Sequence, residues 1–242
     1  MPRWKKPALC PPMNKSMDEQ AFGAVLSMLR HIHKNEDVQP LSEELAFRFG
    51  SANAMFAADR HIWQQMELQP NDALLMSRIS EISRYADQSR YNEHPRLSSL
   101  QPALNYLVSN YRGLQTERFY MLCLDKRGCL KEKVFLYEGT ADCTLLNLRK
   151  MLREAVRISP AAVILSHNHP GGTFAASEDD VFSTRDAIRA LSAIGIPVLD
   201  HVIIAGSRGF SMRLNGCIPE IDWLDQQMGN RMLASWTEMH ED

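Results

Sequence analysis

Ser166-His-Asn-His-Pro-Gly-Gly-Thr-Phe-Ala-Ala-Ser-Glu-Asp-Asp180 follows an apolar run, Ala161-Ala-Val-Ile-Leu165, and opens a segment from Glu178 to Ile194 with helical periodicity. The run reads as a buried strand and the segment as an amphipathic helix. Side chains two apart on a strand share a face, so His167 and His169 point together and Asn168 points away. Pro170-Gly171-Gly172 then makes a sharp exit from the strand. Asp180, on the first turn of the helix, can swing back to meet both imidazoles. Two histidines and one carboxylate with a fourth position open form the donor set of a hydrolytic zinc site. The carboxylate leaves the cation one residual positive charge, enough to lower the pKa of a bound water.

Such a water needs a proton acceptor, and Glu117 is on offer just ahead of the first strand, Phe119 to Leu124. It reaches the site if that strand lies beside Ala161 to Leu165. Ser177 is placed to donate a hydrogen bond to the oxyanion that forms in attack on a carbonyl. A plainer reading stands beside this one. Ser177-Glu-Asp-Asp180 also fits a helix capping box, and one carboxylate cannot fully serve both a metal and the helix cap. Asp200-His201 sits at a strand start, either orienting a ligand from behind or forming a structural pair. His31-Ile-His33 is a useful control: on a helix, i and i+2 diverge by about 200°, so this pair reads as a solvated face.

Around this stretch the periodicity changes once. Residues 17 to 91 read as helices: one from Met17, a second over Leu41 to Gly50, a third from Ser51, a fourth over His61 to Met66, and a fifth over Asn71 to Tyr91. Residues 93 to 99, polar and carrying Pro95, read as a linker. Leu100 to Tyr111 is a helix, and from Glu117 the order is β-β-α-β-α-β, ending on Val198 to Ala205. That order predicts an α/β domain with a mixed sheet between helices. The helix before Ser159 is expected over Leu145 to Val156. Residues 1 to 16, with Arg3, Lys5 and Lys6 among four prolines, read as a disordered basic arm. Trp223, Leu224, Met228, Met232, Leu233 and Trp236 have helical spacing and either pack on the domain or meet a second copy, which leaves the oligomeric state open.

Of the 242 residues 45% are hydrophobic, and the net charge of −2 gives no basic field that would call for nucleic acid. No apolar run approaches the roughly 18 residues that span a bilayer, and the first residues lack a signal peptide's apolar core. The expectation is a cytoplasmic protein without a membrane partner. Cys10, Cys123, Cys129, Cys143 and Cys217 are odd in number and form no CxxC, which suits a reducing compartment and small core residues.

Glu117, then His167-x-His169, seven residues, Ser177, two more and Asp180 resembles the motif of the JAMM (MPN+) metalloproteases. His-Asn-His-Pro-Gly-Gly, Ser-Glu-Asp-Asp and Leu199-Asp-His-Val-Ile-Ile204 resemble the bacterial RadC family in particular, from about Glu117 to Met212. The resemblance implies a cytidine-deaminase-like (JAB/MPN) three-layer fold over residues 100–242. It implies zinc, one ion per chain, on His167, His169 and Asp180, with Glu117 as general base and Ser177 as oxyanion donor. It also implies a peptide or protein substrate cut at a peptide or isopeptide amide. The family name carries an association with DNA repair, so a DNA-binding or protein-binding accessory role without proteolysis is the competing expectation.

In that family a helix-hairpin-helix usually precedes the catalytic domain, with a Gly-x-Gly turn that holds a DNA phosphate. Residues 17–92 here resemble a degenerate version. The turn reads Met66-Glu-Leu-Gln-Pro-Asn-Asp72, lacks both glycines, and carries Glu67 and Asp72, which repel phosphate. A nucleobase deaminase expects His-x-Glu and a later Pro-Cys-x-x-Cys, and the sequence has neither.

Overall fold

The computed structural model describes residues 15–32, 44–45, 47–49, 55–56, 58, 60–66, 68, 70–114, 116–139, 147–170, 172–218 and 236. The elements are α1 (Lys15–Ile32), α2 (Arg60–Gln65), α3 (Pro70–Gln88), α4 (Leu100–Tyr111), β1 (Glu117–Leu124), β2 (Leu130–Gly139), α5 (Leu148–Ile158), β3 (Ala162–Asn168), α6 (Glu178–Ser192), β4 (Val198–Ala205) and β5 (Arg208–Ser211). Residues 44–45, 47–49 and 55–56 are also helical. The basic arm, apart from residues 15 and 16, lies outside the described residues. So do most of the expected third helix and the 223–233 stretch.

The N-terminal helices close around a core of their own, with Leu29, Leu45, Met55, Trp63 and Met76 essentially inaccessible to solvent. Their apolar stripe at helical spacing is what closes it: Phe22, Val25, Leu26 and Leu29 of α1 are all buried. Asp72 is buried in the first turn of α3. A carboxylate there complements the helix N-terminus, the position a phosphate would need.

β1 to β5 form one mixed sheet in the order β2-β1-β3-β4-β5. β1 is antiparallel to both β2 and β3, β3 is parallel to β4, and β4 is antiparallel to β5. The seven residues of β3 are all buried, as a central strand covered on both faces must be. Alternate residues feed two cores. Met121, Val163, Leu165 and Ile203 pack with Met151, Ala155 and Ile188 of α5 and α6. Leu122, Ile164, Val202 and Ile204 pack with Ala103 and Leu107 of α4 on the other side. The result is the three-layer α/β architecture expected from the element order.

The differences from the sequence reading have physical causes. Glu117 lies within β1, paired with Gly139, because the hairpin ladder runs two residues further than its apolar part. α3 stops at Gln88, short of Tyr91. Residues 93–99, polar in composition, dock on the β1–β2 turn: the Leu97 amide donates to Gly128 O at 2.7 Å, Leu130 N donates to Pro95 O at 2.9 Å, and Leu97 is fully buried. β5 was not foreseen. Its four residues carry a glycine and gain their strand geometry from β4. α5 begins at Leu148, capped by the Asn147 side chain on the Lys150 amide, and residues 145 and 146 lie outside the described residues.

Candidate metal centre

The site forms at the end of β3. His167, near the end of the ladder, pairs with Phe119 of β1, and its ring stacks on the Phe119 ring at 5.6 Å and 11°. Continuing that antiparallel register by two residues puts Glu117 across from His169 on the same face. Glu117 is buried there and its charge favours protonation of His169. Asn168 points to the opposite face, where its amide binds the β1 backbone: Oδ1 accepts from Arg118 N at 2.9 Å and the amide donates to Thr116 O at 3.1 Å. This clamp fixes where the two strands end.

α6 brings in Asp180. The capping reading of Asp180 holds, and it leaves the second carboxylate oxygen to face His167. Oδ2 accepts from Ser177 N at 2.7 Å and from Ser177 Oγ at 2.6 Å, while Asp180 N donates back to Ser177 Oγ at 3.1 Å, completing a capping box. Oδ1 faces His167 Nε2 at 3.2 Å. His169 Nε2 lies 2.9 Å from His167 Nε2 and 3.5 Å from Asp180 Oδ2. Ligands about 2.0–2.1 Å from a tetrahedral ion stand about 3.3 Å apart. One nitrogen each from His167 and His169 and one carboxylate oxygen of Asp180 all lie within 4.8 Å of one another, a cluster that could hold a metal ion.

Hydrogen-bond directions show which atoms carry lone pairs. Thr184 Oγ1 donates to the Asp180 carbonyl at 2.5 Å, so at 2.5 Å from His201 Nδ1 it can only accept. His201 Nδ1 therefore carries the proton. Complete burial, reinforced by the neighbouring His167, holds His201 well below the usual histidine range, so it is neutral and its Nε2 is an acceptor. His167 Nδ1–H then donates to His201 Nε2 at 2.8 Å, so in the neutral ring it is Nε2, facing Asp180, that carries the lone pair. His169 Nδ1–H donates to Thr173 O at 3.0 Å, which leaves its Nε2 bare as well. Two bare lone pairs 2.9 Å apart repel unless a proton or a cation lies between them. Both histidines are thus set in the tautomer a metal requires, each held from behind, as ligating histidines are.

The charges agree with this. Burial of Asp180 opposes ionisation, but His167, His169 and Ser177 outweigh it and hold the carboxyl far below the usual range. Burial alone would lower His169; contacts to Asp180 and Thr173 outweigh it and raise its proton affinity.

Of the five residues singled out in the sequence, the structure gathers His167, His169 and Asp180 into one cluster, with Glu117 buried at the start of β1. Ser177 is adjacent, with its hydroxyl proton engaged by Asp180. His201 bonds to His167 from behind, one of the two places its sequence position allowed, and nothing in the sequence distinguishes Thr184 from any helix threonine. His31 is exposed on α1, and His33 lies outside the described residues. Cys123 is buried and free, its thiol pushed up to about 12 chiefly by burial, and Cys129 and Cys217 are also free. Among the described residues, no helix is long and apolar enough to cross a membrane.

A family profile described as the RadC-like JAB domain matches residues 97–217. A UPF0758 protein of Photobacterium profundum is 32% identical over 172 residues, covering 71% of this chain and 77% of its own. A UPF0758 protein of Azotobacter vinelandii is 32% identical over 177 residues, covering 73% and 79%. The donor cluster of His167, His169 and Asp180 lies within the matched span, on the central strand and the helix that follows it. The chain belongs to the RadC family and carries its JAB domain.

Proposed function

We propose that this chain is a zinc-dependent hydrolase of the JAMM type that cuts a peptide or isopeptide amide. The observation that carries the proposal is the convergence of three lone-pair donors, on His167, His169 and Asp180, beside the buried carboxylate of Glu117. Bound there, zinc supplies Lewis acidity, making water a nucleophile near neutral pH and polarising a carbonyl. The chain's own residues do the rest. Glu117, held on β1 opposite His169, accepts the proton of the attacking water at its carboxylate and returns it to the leaving nitrogen. Ser177 lies at the mouth of the site and is exposed. Rotation of its hydroxyl away from Asp180 Oδ2 lets it donate to the developing oxyanion. His201 and Thr184 hold His167 in its ligating tautomer.

The test is metal analysis joined to turnover on a panel of peptide and lysine isopeptide amides. Glu117→Gln is expected to retain about one zinc per chain and lose roughly 10²–10⁴ in turnover. His167→Ala is expected to lose the metal. Full turnover by Glu117→Gln would remove the assigned base.

A further inference from the structure

The row of the sheet that carries Glu117 and His169 continues past the metal centre. Asn168 pairs with Ile204, the His169 amide donates to Ile204 O at 2.8 Å, and Ala205 pairs with Arg208. One step on, His169, Ala205 and Arg208 share a row and a face. Two strand spacings separate His169 from Arg208, roughly 10 Å. Between them in this row lies Ala205, which is small and buried. β5 is the last strand of the sheet, so Arg208 stands at the open side of the site.

Arg208 is also fixed in place. Its Cζ lies 4.3 Å from the centroid of the Phe174 ring, a cation–π contact. Phe174 follows Thr173, whose carbonyl holds His169, and is 38% exposed. The Phe174 ring is braced edge-on by Phe210 of β5 at 5.8 Å. Among the described residues no carboxylate comes within ion-pair distance of Arg208. An arginine held by an aromatic ring and given no acid of its own keeps its donor fork free for an incoming oxyanion.

We propose that Arg208, supported by Phe174, is a specificity subsite for a substrate carboxylate two or three residues from the bond that is cut. This rests on the hydrolase reading above. An extended peptide advances about 3.3 Å per residue, so a chain running from the metal centre towards β5 covers that separation within that count. The carboxylate is an aspartate or glutamate side chain or the substrate's own C-terminus.

Peptide hydroxamates test this, because a hydroxamate chelates zinc that has an open position and so anchors each peptide at the metal. In one series the hydroxamate ends the peptide, and Glu, Gln or Lys is scanned through the three adjacent residues. In the other an N-terminal succinyl hydroxamate precedes the same scan, amidated or with a free C-terminal carboxylate. On the zinc-loaded wild-type protein, Glu at one position should bind about tenfold more tightly than Gln. Arg208→Gln should level the two, Arg208→Glu should favour Lys, and Phe174→Leu should lose part of the preference while zinc content stays unchanged. A preference confined to the free-carboxylate arm identifies the C-terminus as the source. Binding without charge preference, or a preference that survives Arg208→Gln, overturns the subsite and leaves the metal reading standing. Failure to take up zinc, or to bind any hydroxamate, overturns the metal reading and the subsite with it.

Discussion

At the scale of single residues the site depends on where protons sit. Thr184, His201 and His167 form a directed chain that ends in a bare nitrogen. Thr184→Val removes the acceptor for His201 Nδ1–H and frees that ring to take the other tautomer. Zinc affinity is expected to fall by roughly tenfold in Thr184→Val and by up to about 100-fold in His201→Phe. Competition with a chelator measures both, and long-range ¹⁵N–¹H spectra should show the His167 proton on Nδ1 in the wild type. Unchanged affinity in both variants would refute the chain.

Acid should act on the same residues in two ways. His169 must give up its proton to bind metal, and its proton affinity is raised, so zinc affinity should fall as pH drops through that raised value. His201 behaves oppositely: the folded state refuses a proton that the unfolded chain accepts near 6.5. Its contribution to stability is full above that pH and is lost below it, by at most about 1.4 kcal/mol per pH unit. Denaturant titrations of wild type and His201→Gln from pH 7.5 to about 5 should show this slope in the difference between them. The cluster of His167, His169 and Asp180 was legible in the sequence, because alternation on a strand and position on a helix fix their faces. Arg208 and Phe174 were not, since only the pairing of β4 with β5 brings them to the metal's row.

Elements explain why one carboxylate can hold two posts. Ser177 at the N-cap and Asp180 at N3 close the first turn of α6, and the geometry of that box aims Oδ1 back towards β3. Ser177→Ala should cost about 1 kcal/mol, read as a fall in Tm of roughly 2–4 °C, with zinc retained through the remaining donors. Turnover should fall by about 10²-fold if its hydroxyl meets the oxyanion. The β1–β2 turn closes the opposite end of the hairpin, beside the start of β3. Gly128 has φ +75°, and an added Cβ would lie 2.6 Å from the Ser98 Cβ. Gly128→Ala is expected to cost more than about 1 kcal/mol and to speed hydrogen exchange at the Leu97 amide, which bonds to Gly128 O. β3 and α6 could be read directly from an apolar run and a cap. β5 could not, because four residues with a glycine carry too little periodicity, and a neighbouring strand supplies what the local sequence lacks.

Across the whole molecule, Asp200 ties the end of the described chain to the sheet. Its Oδ2 accepts from Trp236 Nε1 at 3.0 Å and from Ser211 Oγ at 2.5 Å, and its Oδ1 accepts from Arg213 N at 3.0 Å and from the His201 amide at 2.7 Å. Burial raises the carboxyl's proton affinity, and these donors oppose it. Trp236 is fully buried against the α4 side of the sheet. Trp236→Ala should cost about 3–5 kcal/mol by loss of packing, and Trp236→Phe less, about 1–3 kcal/mol, as the loss of one donor to a buried acid. Chemical denaturation distinguishes them. Asp200 and His201 are neighbours that face opposite layers, one gripping the tryptophan, the other bonded to His167. A single peptide plane therefore joins the tryptophan's side of the sheet to the side that carries the histidines, so a molecule that pries Trp236 loose is expected to disturb His167 from a distance.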